Sequence, residues 1–356
     1  MNVVRATSMV KVEAGGKREP VAAGGGVGDP PGLRPNQLYE AWLIWFPTYR
    51  CSFNCAYCFF LNPIKKTAPA PPIDIPALVS ALDHSGKIIR LSFGGGGEPF
   101  NVPNLVQACQ AVTRNHFISF TTNLISKKVE DFVAKVDPRR TVLIIASLHI
   151  KELERLRLGD KYIRNFLLCR EKGFIVSPEA VAYPPLLPEA DSYRDFFRRR
   201  GVPLKFSPFL GTFEGRAYPD SYTDEQIAQW GLDPNVRMNY RPKGKLCNAG
   251  FNMGVVNPRG DVWPCWKIPK SMGNIFGRFT FHHKIIRCPF DFCGCPFPYF
   301  DPDRFEQAVR ESGGRRVSRI GLGPYVVRDS LKKTLENISP LALRKKVAGF
   351  RRKMGL

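Results

Sequence analysis

The chain has 356 residues, enough for about two domains and a well-buried core. Its 53 Lys and Arg against 31 Asp and Glu give a formal net charge of +22, which fits anionic partners (phosphorylated or nucleotide-linked substrates, an acidic peptide, a membrane surface or nucleic acid) and equally a solvated basic surface. We predict a cytoplasmic protein, because the sequence shows neither a signal-peptide core nor an apolar run that could span a membrane.

Residues 1–38 are rich in Gly, Pro and Ala, a composition that predicts a flexible segment. From Ala41 onward, short apolar runs alternate with amphipathic stretches. The apolar runs predict strands at 41–46, 88–93, 117–121, 142–147, 174–180 and 203–207. The amphipathic stretches predict helices at 74–84, 102–115, 127–136, 162–172 and 192–200. Apolar strands separated by helices indicate the α/β class, with a parallel sheet closed into a partial or full βα barrel.

Three cysteines follow the first predicted strand in the run Cys51-Ser-Phe-Asn-Cys55-Ala-Tyr-Cys58. The chain has ten cysteines, and in the cytoplasm such cysteines favour metal ligation over disulfides because thiols are kept reduced there. The CxxxCxxC spacing can hold zinc, a structural iron–sulfur cube, or a catalytic cube with one open iron. Zinc in a structural site and a structural cube both take four protein ligands, so each requires one that this run lacks. The run falls at the carboxyl end of a strand, where βα folds place their chemistry.

A second motif, Gly94-Gly-Gly-Gly-Glu98-Pro99, follows the second predicted strand. Consecutive glycines let the backbone approach a ligand closely and present its N–H and C=O groups, which suits a small zwitterion. A glycine run alone is usually a turn. Beside the cysteine run it predicts a ligand-binding loop.

Together these motifs resemble those of the radical S-adenosylmethionine (SAM) enzymes. The resemblance implies a partial (β/α)6 TIM-like barrel over about residues 39–207. It also implies that three catalytic cysteines, Cys51, Cys55 and Cys58, hold a [4Fe-4S] cluster whose open iron binds the amine and carboxylate of SAM. The loop residues implied to contact the methionyl amine are Gly95, Gly96, Gly97, Glu98 and Pro99, and Tyr57 is implied to lie near the adenine.

Two further segments resemble SAM-binding positions of that family. Thr122-Asn123-Leu124 is similar to a Thr-Asn-Gly sequence, with leucine in place of glycine, and implies a role for Asn123. Ser147 ends the fourth predicted strand, where a serine near SAM is expected, whereas His149 departs from the family pattern and is either a contact to SAM or substrate or a polar residue at the rim. In such enzymes a low-potential electron cleaves SAM to a 5'-deoxyadenosyl radical, which removes hydrogen from the substrate.

A second cysteine group comprises Cys247, Cys265, Cys288, Cys293 and Cys295. The stretch from Asn257 to Cys265 predicts a tight turn between two short strands that returns Cys265 to the region of Cys247. A zinc ribbon is the alternative to an iron–sulfur site. The segment resembles the SPASM extension in its short form, twitch, which implies a β-hairpin and helix extension with one auxiliary [4Fe-4S] cluster. Cys247 and Cys265 are the expected ligands, completed by two of the other three.

The remaining features leave alternatives open. Cys109 and Cys169 fall in amphipathic helices and are expected to be buried thiols, or else a hydrogen donor to a substrate radical. The strongly basic segment from Arg315 to Leu356 contains one amphipathic helix pattern, which can lie on an anionic membrane, dock on the barrel or be solvated. We therefore predict four regions: a flexible segment (1–38), a radical SAM barrel (39–225), a twitch-like domain (240–300) and a basic extension (301–356).

The predicted function is hydrogen abstraction from a small polar substrate such as a sugar, an aminocyclitol or a nucleotide-linked sugar. The substrate could be anionic, and an electron donor such as flavodoxin or ferredoxin is expected. The alternatives are modification of a ribosomally made (RiPP) peptide and, from another class, a zinc-dependent nucleic-acid-binding protein. No nucleic-acid partner is expected under the leading hypothesis. Glu179, Glu214 and Arg216 lie near the ends of late strands and are either substrate contacts or surface residues.

Overall fold

The structure is a computed structural model that describes residues 39–58, 68–268, 270–283 and 286–294. The predicted flexible segment 1–38, the predicted ligand Cys295 and the basic extension 301–356 lie outside the described residues.

Six parallel strands form most of the main sheet and lie side by side in chain order. They are β1 (Ala41–Trp45), β2 (Ile89–Phe93), β3 (Phe117–Thr122), β4 (Thr141–Ser147), β5 (Val176–Ala182) and β6 (Lys205–Pro208). Along β1 and β2, buried residues alternate with half-buried ones, because one face packs on helices and the other faces the inside of the partial barrel. The α/β fold class predicted from the sequence is confirmed.

Helices connect successive strands and cover the outer face of the sheet. They are α1 (Ile75–His84), α2 (Leu105–Val112), α3 (Lys128–Lys135), α4 (Ile150–Leu156), α5 (Gly159–Glu171), α6 (Ala190–Arg198), α7 (Asp224–Trp230) and α8 (Val236–Asn239), with short 3-10 turns at Pro99–Asn101, Pro138–Arg140 and Pro184–Glu189. Local chemistry sets their ends: the Asp74 carboxylate accepts from the N–H of Ala77 and caps α1. In the described part of the chain, no helix combines the length and apolar character needed to cross a bilayer.

The cysteine-rich segment joins the barrel sheet. Its strands and the hairpin that precedes it are β7 (Gly211–Phe213), β8 (Arg216–Tyr218), β9 (Leu246–Cys247), β10 (Met253–Val256), β11 (Asp261–Trp263), β12 (Gly273–Asn274) and β13 (Ile286–Arg287). Strand β10 pairs parallel to β1, and β11 and β12 follow antiparallel, so the main sheet has nine strands. The predicted turn between two strands is present between β10 and β11. The helix predicted for this extension is not found among the described residues from 240 to 294.

Candidate functional site

The first cysteine run, residues 51–58, forms a loop just beyond the carboxyl end of β1, which we call the cysteine loop. Cys55 is buried, and Cys51 and Cys58 are half-buried. The loop closes through the N–H of Cys58, which donates to the carbonyl of Cys55 at 3.1 Å, and the N–H of Phe53 donates to the Sγ of Cys51 at 3.4 Å. A backbone N–H directed at sulfur favours the thiolate, which is the metal-binding form of cysteine.

Glu152, on α4, holds the cysteine loop in place. Its side chain is buried, and one carboxylate oxygen accepts the backbone N–H of Asn54 at 2.8 Å. Arg155 donates to both carboxylate oxygens, at 2.8 and 3.2 Å. The buried carboxylate is therefore paired with a cation and a backbone donor, as burial of a charge requires.

The side chain of Tyr57, in the cysteine loop, contacts residues that follow β4 and β5. Burial raises the pKa of the Tyr57 hydroxyl, and both the charge on Cys55 and a hydrogen bond with Cys55 raise it further. The hydroxyl therefore remains protonated. The hydroxyl lies 3.1 Å from Nδ1 of His149, and the Tyr57 ring lies 5.2 Å from the ring of Tyr183. His149 thus contacts the cysteine loop. This contact explains its place at the end of β4 and does not show whether it binds SAM or substrate.

The glycine loop, residues 94–98, packs on the chain that connects β1 to the cysteine loop. A Cβ on Gly95 would lie 2.0 Å from Cε1 of Phe46, and one on Gly97 would lie 2.4 Å from the carbonyl oxygen of Arg50. Gly95 also has φ +96°, a conformation that side chains disfavour. The N–H of Glu98 donates to the same Arg50 carbonyl at 3.0 Å. Sterics and hydrogen bonding thus join the two predicted ligand loops into one unit.

The Glu98 side chain is turned inward. Its carboxylate accepts hydrogen bonds from the hydroxyl of Thr122 at 2.7 Å, the N–H of Asn123 at 2.8 Å and the N–H of Phe100 at 3.2 Å. Burial raises the pKa of Glu98 to about 7, although these three donors act in the opposite direction. The carboxylate therefore ties the glycine loop to the end of β3, a role that the sequence motif did not reveal.

We expect the stability of the protein to fall as the pH rises from about 5 to about 8. Between the ordinary pKa of 4.5 and the folded value of about 7, folded Glu98 holds a proton that the unfolded chain lacks, so stability is greatest below this range and is lost as the pH rises through it. The loss attributable to Glu98 is about 3 kcal/mol at about 1.4 kcal/mol per pH unit. Chemical denaturation across this range should show a shallower slope for Glu98→Gln than for the wild type. Equal slopes would show that Glu98 is ionised in the fold.

The Thr-Asn-Leu segment retains the backbone shape that glycine would favour. Leu124 has φ +58°, in the left-handed region, and its side chain is buried among core residues. Asn123 is also buried, and within the described residues its Nδ2 group has no hydrogen-bond partner. A buried donor without an acceptor costs about 1–3 kcal/mol, so an acceptor on a ligand bound beside the glycine loop would stabilise this arrangement.

The second cysteine group is brought together from three separate segments, around residues 247, 265 and 288–293. Burial raises the pKa of Cys247 to about 11, and the charges of the thiols at Cys288, Cys265 and Cys293 add to this. Burial also raises the pKa of Cys265, and negative charge on Cys293 or Cys288 acts in the same direction. Four thiols this close cannot all ionise unless a cationic centre offsets their charge, which is what a metal cluster supplies.

Backbone donors surround two of these sulfurs. The N–H of Ala249 bonds to Cys247, and those of Lys267 and Ile268 bond to Cys265. N–H groups of this kind stabilise cluster thiolates. Among the described residues, no three His, Cys, Asp or Glu side chains converge as a site for a single metal ion. The predicted ligand Cys295 lies outside the described residues.

The second cysteine group packs on the inner face of the barrel. Three of its cysteines share a buried apolar cluster with β10, and Trp42 and Ile44, the half-buried side chains of β1, pack against that cluster. Trp266, which follows Cys265, stacks on Phe46 with ring centroids 4.4 Å apart and planes 18° apart. Because Phe46 also lies against Gly95, a single aromatic pair connects the second cysteine group to the glycine loop.

The inner face also includes residues of β4, β5 and β6, at the opposite end of the row of parallel strands. Ser147, at the end of β4, is paired in register with Glu179 of β5, and Glu179 with Lys205 of β6. Ser147 and Glu179 are half-buried, whereas Glu214 and Arg216 are exposed at the β7–β8 hairpin. Of the three late polar residues singled out in the sequence, Glu179 alone lies inside. Cys109 and Cys169 are fully buried in α2 and α5, as expected of core thiols.

The fold and the two cysteine groups describe a partial α/β barrel with thiol-rich sites at its carboxyl edge and inner face. No protein-family model and no curated protein matches the chain. The solved structures similar to it include anSMEcpe with bound AdoMet (TM-score 0.49, 16% identity, 66% of this chain and 78% of that chain). Streptococcus suis SuiB bound to S-adenosylmethionine matches with a TM-score of 0.46 and 17% identity over 66% of this chain and 63% of that one. BtrN in complex with AdoMet and 2-DOIA matches with a TM-score of 0.35 and 17% identity over 67% of this chain and 79% of that one.

Sequence reasoning missed two sets of residues at the site. Glu152 lies in an ordinary charged helix, and no local pattern distinguishes it from exposed glutamates nearby. The Phe46–Trp266 contact joins residues that are far apart in the chain. An aromatic directly after Cys265 was the one available signal for it.

Proposed function

We propose that the chain is a radical SAM enzyme. Under this proposal Cys51, Cys55 and Cys58 hold a [4Fe-4S] cluster, and the glycine loop and Asn123 bind SAM. The observation that carries the proposal is the packing of a three-thiol loop on a glycine loop at the carboxyl edge of a parallel sheet. Three thiolates without a fourth protein ligand suit a cluster with an open iron. The partnerless Nδ2 of Asn123 suits a ligand that presents an acceptor.

The bound cluster and SAM would supply a 5'-deoxyadenosyl radical through one-electron reduction of the sulfonium, with flavodoxin or ferredoxin as the donor. The chain's own residues position these groups. Glu152 fixes the backbone at Asn54, and Glu98 fixes the glycine loop to β3. The aromatic rings of Tyr57 and Tyr183 lie 5.2 Å apart and border the site on the side of β5.

We further propose that Cys247, Cys265, Cys288 and Cys293 hold one auxiliary [4Fe-4S] cluster of the twitch type. The effect of Cys288 and Cys293 on the pKa values of Cys247 and Cys265 places the four sulfurs near one another and supports this ligand set. A four-thiolate site leaves no open iron, so its role would be electron transfer from the substrate radical. Cys295 is then the spare cysteine.

The proposed substrate is a small polar molecule such as a sugar, an aminocyclitol or a nucleotide-linked sugar. A half-buried polar inner face supports this substrate class. The rival activity is modification of a ribosomally made peptide. Similar solved structures include SuiB bound to its precursor peptide SuiA and BtrN with 2-DOIA, so they do not choose between the two.

The test is anaerobic reconstitution with iron and sulfide, followed by metal analysis and incubation with SAM and dithionite. We expect about eight irons per chain and formation of 5'-deoxyadenosine. Alanine at Cys51, Cys55 and Cys58 together should remove about four irons and abolish 5'-deoxyadenosine. Cys293→Ser should lower the iron bound by the second group, with Cys295→Ser as the matched control that retains it. One or two zinc ions per chain and no cleavage of SAM would contradict the proposal and favour the zinc-protein alternative.

A further inference from the structure

Three glutamates lie on or near the candidate site, and their surroundings differ. Glu98 accepts three hydrogen bonds, and Glu152 accepts a backbone N–H and two bonds from Arg155. Glu179 is half-buried, yet among the described residues its carboxylate accepts one side-chain hydrogen bond, from the hydroxyl of Ser177 at 3.0 Å. A half-buried carboxylate with one side-chain donor keeps free acceptor capacity that a ligand can use.

The position of Glu179 is that of a ligand-binding group. In the sheet register it lies between Ser147 of β4 and Lys205 of β6, and paired residues of neighbouring parallel strands point to the same face. Burial raises the pKa of Glu179, while the Ser177 hydrogen bond and the Lys205 charge oppose this rise. The register therefore places five polar residues of three adjacent strands on the inner face, and they are Ser147, Ser177, Glu179, Lys205 and Ser207. Lys205 is exposed, and the other four are half-buried.

Aromatic rings border this polar strip at the carboxyl ends of the strands. Tyr183, directly after β5, lies 5.2 Å from Phe209 and 5.3 Å from Phe213, measured between ring centroids. Tyr57 of the cysteine loop adjoins the same ring. The aromatic border and the proposed radical site thus lie at the same carboxyl edge of the sheet, at the end of the polar strip.

We propose that Glu179 and its neighbours form a subsite for vicinal hydroxyl groups of the substrate, which makes the substrate a polyol. The inference rests on the proposed function, which it deepens. A hydroxyl group both donates and accepts, and the strip alternates an acceptor (Glu179), a cationic donor (Lys205) and hydroxyls that do both. A substrate ammonium is the poorer match, because Lys205 adds positive charge beside the carboxylate.

The ribose of SAM also carries vicinal hydroxyls, so the experiment must distinguish binding of substrate hydroxyls from binding of the SAM ribose. The probes are myo-inositol, UDP-glucose and, as a ring control with a single hydroxyl, cyclohexanol. Binding of each probe to the reconstituted protein with SAM present is measured by calorimetry, and SAM binding is measured separately. The variants are Glu179→Gln and Glu179→Ala, with Glu171→Gln, an exposed glutamate of α5, as the matched control.

We expect at least one polyol probe to bind and cyclohexanol not to bind. Both Glu179 variants should weaken polyol binding tenfold or more, while Glu171→Gln and SAM affinity remain unchanged. Absence of polyol binding, equal affinity in the variants, or a fall in SAM affinity instead would overturn the proposal. Formation of 5'-deoxyadenosine in the same samples tests the proposed function alone. Failure of the proposed function and failure of the polyol subsite can therefore be told apart.

Discussion

Gly95→Ala is expected to destabilise the protein by about 3 kcal/mol and to lower its affinity for SAM more than tenfold. A Cβ at this position would lie 2.0 Å from the Phe46 ring, and φ is +96°, so neither the side chain nor the backbone can be accommodated without movement. Movement of the loop would also disturb the stack of Phe46 on Trp266. Denaturant unfolding and calorimetric titration with SAM measure the two effects separately.

Gly86→Ala is the matched control, because Gly86 also has a positive φ, +67°, but a Cβ there meets no atom within 4 Å. It should cost about 1 kcal/mol and leave SAM binding unchanged. In a double-mutant cycle, Phe46→Ala should relieve much of the effect of Gly95→Ala, because the clashing ring is removed. Additive effects of the two substitutions would show that backbone strain, not the ring contact, dictates glycine.

Glu152→Ala is expected to release the cysteine loop and to lower the iron bound by the first cysteine group by more than half. The substitution leaves the N–H of Asn54 and the guanidinium of Arg155 without their carboxylate partner, at a cost of about 2–3 kcal/mol. Glu152→Gln should retain more iron than Glu152→Ala, since the amide oxygen of glutamine can still accept the Asn54 N–H. The measurement is iron content and the electron paramagnetic resonance spectrum of the reduced protein.

The Glu152 experiment is best done in a Cys247→Ser, Cys265→Ser background, where the first group alone is expected to bind iron. Glu130→Ala, an exposed glutamate of α3, is the control and should retain the iron. If Glu152→Ala retains as much iron as that control, the cysteine loop is held by its own turn and by Phe53, not by α4.

The sequence alone predicted β1 to β6, five of the eight helices and the position of the first cysteine run directly after β1. Local periodicity fixes these features: β1 to β6 alternate with helices whose apolar faces recur at helical spacing, and Asp74 caps α1 within its own segment. The CxxxCxxC spacing is likewise local, because three thiols within eight residues can meet on one loop. The motif did not predict the backbone of Leu124, which is in the left-handed region although the residue is not glycine.

Only the tertiary structure decided which distant groups meet. The pairing of β10 with β1 brings the second cysteine group to the inner face, and it depends on residues some 200 positions apart. The inward turn of Glu98, the contact of Glu152 with Asn54 and the stack of Trp266 on Phe46 arise in the same way. The local sequence around an exposed glutamate and around a buried, hydrogen-bonded glutamate can be the same. The difference between them lies in donors supplied by other strands and helices, which come together only when the chain packs.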